Sequence, residues 1–209
     1  MPGIKTLAIF RTDMEAQLGS RAFGTSLIDQ WVNSAYLELT GGIRFPELLE
    51  NFPITQVISQ ANYPGPTDSI GWESVYNAPA GIVLERISRH DLFRRALTDG
   101  VSDSWTRDND EIIFSPPPAA TDSLNLLHTK QPSLLVASSD VTVIPAHWDY
   151  AIELLAVSKG LLHAVEEDRS AHWRNLAIQY IQSRLTEEDF ISGRFQPVPA
   201  FSNQSQAAR

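Results

Sequence analysis

The stretch TSLIDQWVNSAYLEL, residues 25–39, is the part of this chain that decides its fold. Apolar residues recur in it at every fourth position: Leu27, Trp31, Ala35 and Leu39. Because that period is close to one helical turn, the stretch predicts an amphipathic helix with one broad apolar face. Glycines follow at positions 41 and 42 and predict the end of the helix. The stretch brings no reactive groups together, so we expect it to be buried in a core.

Helical spacing also occurs towards both ends of the chain. Residues 4–17 predict a helix, and the short stretch 46–51 predicts a single helical turn. In residues 145–185 the apolar side chains fall on two faces, which is typical of a helix buried on two sides. The acidic run 166–169 indicates a turn between two antiparallel helices there. No glycine or proline interrupts it, so one long helix remains an alternative.

The middle of the chain has a different character. Proline and glycine recur every few residues, and the apolar runs become short and β-branched, which predicts strands. We expect strands in residues 54–59, 82–88 and 123–130, and a loop at 62–66. A hairpin is expected around residues 108–110, because Asn and Asp tolerate positive φ in tight turns.

Together these elements predict an α+β fold, a helical bundle that carries a β-rich insertion. The helical core is expected in residues 1–52 and 145–188, the β-rich insertion in 53–144, and an extended tail in 189–209. Aromatic residues on the helical stripes are expected to pack in the core and not to hold a ligand. They are Trp31, Tyr36, Trp148, Trp173 and Tyr180.

Composition restricts the classes of protein that fit. The 209 residues are 43% hydrophobic and 20% charged, as in a soluble globular protein, and no apolar run reaches the roughly 20 residues that cross a bilayer. The chain has no cysteine, which fits synthesis in a reducing cytoplasm. Its net charge of -9 argues against binding nucleic-acid phosphates. Composition alone favours ordinary solubility as the reason for this charge, and the charge is also compatible with a surface past which DNA moves without adhering.

No set of residues has the spacing of a catalytic or metal site. His163 and His172 flank acids at 166–168, but they lack the HExxH spacing that places two imidazoles on one helical face. Asp149 and Glu153 lie one turn apart, yet such pairs of acids are common on solvated helix faces. We therefore expect no catalytic residue, no cofactor and no metal.

The last twenty residues contain three aromatic side chains that belong to no apolar stripe. Phe190, Phe195 and Phe201 are separated by glycine, proline and polar residues, so this segment is unable to bury them by itself. We expect them to need a partner surface.

Several motifs follow one another in an order that resembles a known family. They are IDQWVNSAYLEL (28–39), RFPEL (44–48), IVLERISRHD (82–91), WTRDNDEIIFSPPP (105–118), LLHTKQP (126–132) and IPAHWDYAIELLA (144–156). In this order, over residues 5–186, they resemble the head-to-tail adaptor proteins of tailed bacteriophages.

The resemblance implies a structural virion protein at the head-tail junction, synthesised in the host cytoplasm. It implies a ring of twelve copies beneath the portal, through which double-stranded DNA passes without specific binding, and further tail or neck proteins below. The family has no catalytic residues and no membrane association. Its C-terminal segment is expected to contact the portal protein, which makes Phe190, Phe195 and Phe201 the candidate docking residues.

Two other classes of function remain open at this point. One is a small soluble enzyme of unknown type that uses His163, His172 and the acids between them. The other is a cytoplasmic interaction module with no viral role. The sequence leaves the subunit number, the host and the tail type undetermined.

Overall fold

The computed structural model describes residues 4–19, 23–77, 79–92 and 98–192, which form an α+β fold. The chain divides into two compact units. One unit, here called the helical unit, is made from both ends of the chain, Met1–Glu47 and Pro132–Arg209. The other, the sheet unit, is the continuous stretch Leu48–Gln131.

The helices have the following bounds. They are α1 (Leu7–Leu18), α2 (Thr25–Gly42), α3 (Arg89–Leu92), α4 (Asp149–His163) and α5 (Glu167–Ser192), with single 3-10 turns at Pro46–Leu48 and Ala146–Trp148. The prediction of a helix at 25–39 is confirmed, and the helix continues through both glycines. The helix predicted from residue 4 begins only at Leu7, because residues 4–6 are extended and Thr6 forms a β-bridge with Val141.

Helix α4 lies at the centre of the helical unit. It contacts α1, α2 and α5, and eleven of its fifteen residues are buried, as its two apolar faces predict. Gly160 of α4 allows a close approach, because a Cβ atom there would lie 3.0 Å from Leu18 Cδ1 and 3.2 Å from Trp31 Cε3.

Residues 145–185 contain two helices and not one. After α4, Val165 adopts a left-handed conformation with φ of 62°. Its N–H donates to the carbonyl of Leu162 (3.0 Å), and the N–H of Glu166 donates to the carbonyl of Leu161 (2.9 Å). This pair of bonds is the Schellman arrangement that ends a helix, although a glycine usually occupies the left-handed position.

The sheet unit contains one seven-stranded sheet. Its strands are β1 (Leu49–Thr55), β2 (Asn62–Pro64), β3 (Ser69–Asn77), β4 (Ile82–Arg86), β5 (Ser104–Asp108), β6 (Glu111–Ser115) and β7 (Ser123–Lys130). Their order is β1-β7-β3-β4-β5-β6-β2, and every pair is antiparallel except β4 with β5. The predicted hairpin is confirmed as β5 and β6, with Asn109 at φ of 54°. The strand predicted at 123–130 is also confirmed.

The structure departs from the expectations for the middle of the chain in four places. The strand expected at 54–59 ends at Thr55, and residues 58–59 form a turn in which Ser59 has φ of 63°. Residues 49–51 belong to β1 and not to a helical turn, and β1 tolerates Pro53 because it is an edge strand. The expected loop at 62–66 contains β2. Strand β3 was not predicted at all, because two register shifts within 69–74 interrupt its alternation.

The core of the sheet unit is aromatic and aliphatic. Trp72 and Trp105 lie 6.5 Å apart between ring centroids. The guanidinium of Arg107 covers the ring of Trp72 at 4.4 Å, and that of Arg86 covers Trp105 at 5.3 Å. The other buried members of this core are Ile54, Tyr63, Val75, Leu84, Ile112, Phe114, Leu124 and Leu126.

Candidate functional site

Three of the five aromatic residues assigned to the helical core from the sequence are buried. Trp31 lies edge-on to Phe23, at 5.2 Å between ring centroids. Trp148 is fully buried and meets Phe45 edge to face at 5.5 Å. The hydroxyl of Tyr36 accepts a hydrogen bond from the backbone N–H of Val143 (3.0 Å). Burial raises the pKa of Tyr36, with a further contribution from the charge of Asp149, so the hydroxyl stays protonated.

The other two, Trp173 and Tyr180 on α5, are only half-buried. The hydroxyl of Tyr180 donates to the carbonyl of His147 (2.7 Å), and its ring lies 5.1 Å from that of Tyr150. Helix α5 reaches the core through smaller residues instead: Ala177, Ile181 and Leu185. The large aromatic rings of α5 therefore pack at the margin of the core.

A cluster of charged groups lies inside the helical unit, and we call it the Lys5 cluster. The ammonium of Lys5 donates to Asp13 (2.6 Å) and to Glu153 (2.5 Å). The backbone N–H of Lys5 donates to Asp149 Oδ2 (2.8 Å), and the hydroxyl of Thr142 donates to Asp149 Oδ1 (2.8 Å). The cluster thus ties the first extended residues of the chain to the start of α4.

The expectation that Asp149 and Glu153 lie on a solvated face is wrong. Both are buried, with exposed fractions of 1% and 5%. Burial raises the pKa of Asp149, although the bonds from Lys5 and Thr142 oppose this. Burial lowers the pKa of Lys5, but the carboxylates of Asp13 and Glu153 outweigh it and the pKa is raised overall.

The chemistry of the Lys5 cluster is structural. The oxygens of Asp149 accept from two donors, and the ammonium of Lys5 is shared by two carboxylates, so these groups are engaged with one another. Sequence spacing indicated only Asp149 and Glu153. Lys5 is 148 positions from Glu153, and no local pattern joins residues so far apart.

A second set of ion pairs joins the helices nearer the surface. Glu38 of α2 accepts from Lys159 of α4 (2.7 Å) and from Arg174 of α5 (2.6 Å). Burial raises the pKa of Glu38, but the two cations outweigh it and hold the pKa below its ordinary value. Arg11 of α1 binds both carboxylate oxygens of Asp29 on α2, at 2.7 and 2.8 Å. These pairs link all four long helices.

The two histidines considered for a metal site have different surroundings. Both are exposed, His163 at the end of α4 and His172 on α5, but the ring of His163 also packs against Trp31, at 5.5 Å between centroids. Within the described residues no cluster of three histidine, aspartate or glutamate side chains could hold a metal ion.

A depression on the sheet unit brings a histidine and two acids to one place. His128 is buried, and its Nδ1 has no hydrogen-bond partner among the described residues. At the rim, the ammonium of Lys130 lies 3.0 Å from Glu50 and 3.5 Å from Asp68. Both carboxylates at the rim of the depression thus form ion pairs with Lys130.

The three tail phenylalanines fall at and beyond the end of the described chain. The backbone of Phe190 lies within α5, which continues to Ser192, so residues 189–192 are helical and not extended. Phe195 and Phe201 lie outside the described residues. None of the helices in the described part of the chain is both long and apolar enough to cross a membrane.

Comparison with known families accounts for nearly the whole chain. Residues 6–198 match the family model described as SU10 adaptor protein. This is a family of phage head-to-tail adaptors, so the resemblance carried by the order of the motifs is confirmed. No curated protein matches the chain.

Proposed function

The chain belongs to the SU10 adaptor protein family, and we propose that it is one subunit of a ring that joins the portal to the tail. Membership of a phage head-to-tail adaptor family gives it a structural role at the neck of the virion. The family match over residues 6–198 is the observation that carries the proposal. The ring is proposed to hold twelve copies, as the resemblance implies.

Charge supports the proposal that DNA passes through the ring without binding to it. The net charge is -9, and many cations of the described chain are paired with carboxylates. These include Lys5, Arg11, Lys130, Lys159 and Arg174. Cations engaged in this way are poor ligands for phosphates, so the duplex would meet a surface that repels it.

The C-terminal segment is the proposed contact with the portal. Helix α5 carries the chain to Ser192, and residues 190–209 contain Phe190, Phe195 and Phe201 but no acidic residue. A segment with aromatic anchors and two arginines suits an apolar pocket rimmed by acidic groups. The helical unit would then be the body of the adaptor, and residues 189–209 its arm.

Electron microscopy of purified virions tests the ring. Antibody-labelled or directly imaged particles are expected to show this protein as a ring with rotational symmetry between portal and tail. Particles that contain the protein at another position, or lack it, would refute the proposal.

Truncation of the arm tests the contact with the portal. A chain that ends at Ser192 and carries Phe190→Ser is expected to fold but to be missing from DNA-filled heads, because its aromatic anchors are gone. The matched control, with Asn203, Gln204 and Gln206 changed to Ala, keeps the phenylalanines and is expected to be incorporated normally. Normal incorporation of the truncated chain would show that the portal contact lies elsewhere.

The two other classes of function have less support. An enzyme that uses His163 and His172 has little geometric support, because within the described residues no group of three histidine, aspartate or glutamate side chains could hold a metal ion, and the ring of His163 packs against Trp31. Family membership favours a structural protein over an enzyme and over an interaction module without a viral role.

A further inference from the structure

Two short extended segments of the helical unit lie side by side. Residues 4–6 run antiparallel to residues 141–143 through the bridge between Thr6 and Val141. The backbone N–H of Leu7 continues the contact by donating to the carbonyl of Asp140 (2.9 Å). An antiparallel register continued from this single bridge would place Ile4 opposite Val143, on the same face as Val141.

In these two segments polar side chains face the interior and apolar side chains face solvent, which is the opposite of the usual pattern. Lys5 and Thr142 belong to the Lys5 cluster and turn inward. Ile4, Val141 and Val143 turn outward, with exposed fractions of 55%, 44% and 52%. Polar groups are therefore inside, and β-branched apolar groups are in contact with solvent.

The Lys5 cluster holds the strand pair in this arrangement. A slip of one residue would exchange the two faces of a strand and bury its apolar side chains. The bonds from the backbone and side chain of Lys5 to Asp149 and Glu153, together with the bond from Thr142, oppose that slip. Partly buried ion pairs thus hold the two segments with an apolar face exposed, which favours a face that a partner covers.

Further exposed apolar residues occur in the segment before Val141. Leu134 and Val136 are exposed in the segment that leads to it. Within residues 132–145 Asp140 is the single charged residue, and its carboxylate accepts from the backbone N–H groups of Val136 and Ala137, both at 2.8 Å. We call this surface, Ile4 with Leu134, Val136, Val141 and Val143, the outer apolar face.

The sheet unit has a second exposed surface without charge, the hairpin of β3 and β4. Residues 74–84, SVYNAPAGIVL, contain no charged residue. Ile82 and Val83 are 54% and 68% exposed. Strand β4 pairs with β5 only from Glu85 onward, so the outer edge of residues 82–84 faces no strand of the described chain.

We propose that the outer apolar face of one copy receives the β3–β4 hairpin of a second copy of this chain. This inference rests on the proposed ring. Closed rings are built from head-to-tail contacts, in which two different surfaces of the same chain meet. Because each copy carries a charge of -9, repulsion between neighbouring copies is smallest where they meet through surfaces with few charges: residues 74–84 have none, and residues 132–145 have only Asp140.

Cysteine cross-linking in virions tests the contact, since the chain has no native cysteine. Virions assembled from a mixture of Val143→Cys and Val83→Cys chains are treated with a short bismaleimide. A cross-linked dimer that contains one chain of each kind is expected. The matched control pairs Val83→Cys with Leu162→Cys. Leu162, near the end of α4, is 59% exposed against 52% for Val143, and this pair is expected to give no dimer.

Other cross-linking results would overturn the inference. A Val143→Cys chain that cross-links to itself would indicate a symmetric contact, and one that cross-links to the portal or a tail protein would assign the face to that partner. Free reactivity of Val143→Cys with maleimide in virions would show that the face is uncovered. Absence of the unsubstituted protein from virions would refute the proposed function, whereas its presence without the mixed dimer would refute this contact alone.

A charge exchange gives a second, independent measurement. Val143→Glu is expected to lower the number of copies per virion by about tenfold or more, because the contact would bury an unpaired carboxylate. Adding Val83→Lys to the same chain is expected to restore incorporation by supplying a partner charge. Failure of this rescue, with both variants folded by circular dichroism, would contradict the proposed pairing.

Discussion

Replacing Val165 by glycine is expected to stabilise the helical unit. Val165 ends α4 in a left-handed conformation, φ 62°, and its side chain is 81% exposed. A side chain in that conformation costs about 1–2 kcal/mol, and glycine avoids the cost. Glycine also gives the unfolded chain extra freedom, which offsets about 0.5–1 kcal/mol. Little buried apolar surface is lost, so the free energy of unfolding should rise by about 0.5–1 kcal/mol.

Urea denaturation followed by circular dichroism at the helical band measures this gain, and thermal unfolding should show a midpoint about 1–4 °C higher. The matched control is Ala164→Gly at the preceding residue, where φ is -79°. At Ala164 glycine relieves no strain, so we expect the free energy of unfolding to fall by about 0.5–1 kcal/mol. A decrease in stability for Val165→Gly, or shifts of the same sign for both variants, would refute the assignment of strain to Val165.

Two further predictions concern burial and charge. Trp148→Ala removes a fully buried ring and should lower the free energy of unfolding by about 3–5 kcal/mol. Trp173→Ala removes a half-buried ring and should lower it by less than half of that. Equal losses in urea denaturation would contradict the packing described. Burial raises the pKa of Glu38, but Lys159 and Arg174 outweigh it and lower the pKa below its ordinary value of 4.5. The stability that this carboxylate contributes is therefore fully present above pH 4.5 and is lost as the pH falls through the lowered pKa. Glu38→Gln should therefore destabilise the protein by about 1 kcal/mol at neutral pH and by progressively less as the pH falls through the lowered pKa, and a pH-independent difference would contradict the ion pairs.

Local patterns predicted those parts of the fold that depend on neighbouring residues. The apolar period of 25–39 predicted α2, and the Asn and Asp residues at 108–110 predicted the hairpin of β5 and β6. The short run that contains Leu124, Leu126 and Leu127 predicted β7. In each case the same residues that carry the signal also form the element. The family could be recognised for a related reason, since its motifs follow one another along the chain.

The features that the sequence did not predict depend on residues far apart in the chain. Strand β1 contains Leu49, Glu50 and Pro53, which are poor strand signals, and it forms because β7 offers a paired edge some 75 positions later. The Lys5 cluster joins the first residues to α4, so Asp149 and Glu153 looked like surface acids. The exposure of Ile4, Val141 and Val143 depends on that cluster. It also depends on the β-bridge between Thr6 and Val141, which no local sequence pattern predicts.

The division of the chain into units has a consequence for synthesis on the ribosome. The sheet unit, Leu48–Gln131, is continuous and has all of its strands as soon as Gln131 has emerged. Helices α1 and α2 are made first, yet α4, which covers them, is made last but one. At bacterial rates of protein synthesis, residues 48–163 take on the order of ten seconds to make. During that time the apolar faces of α1 and α2 are not yet covered by α4. Chaperone binding to the nascent chain is therefore expected to concentrate on the first 47 residues and to end when α4 emerges.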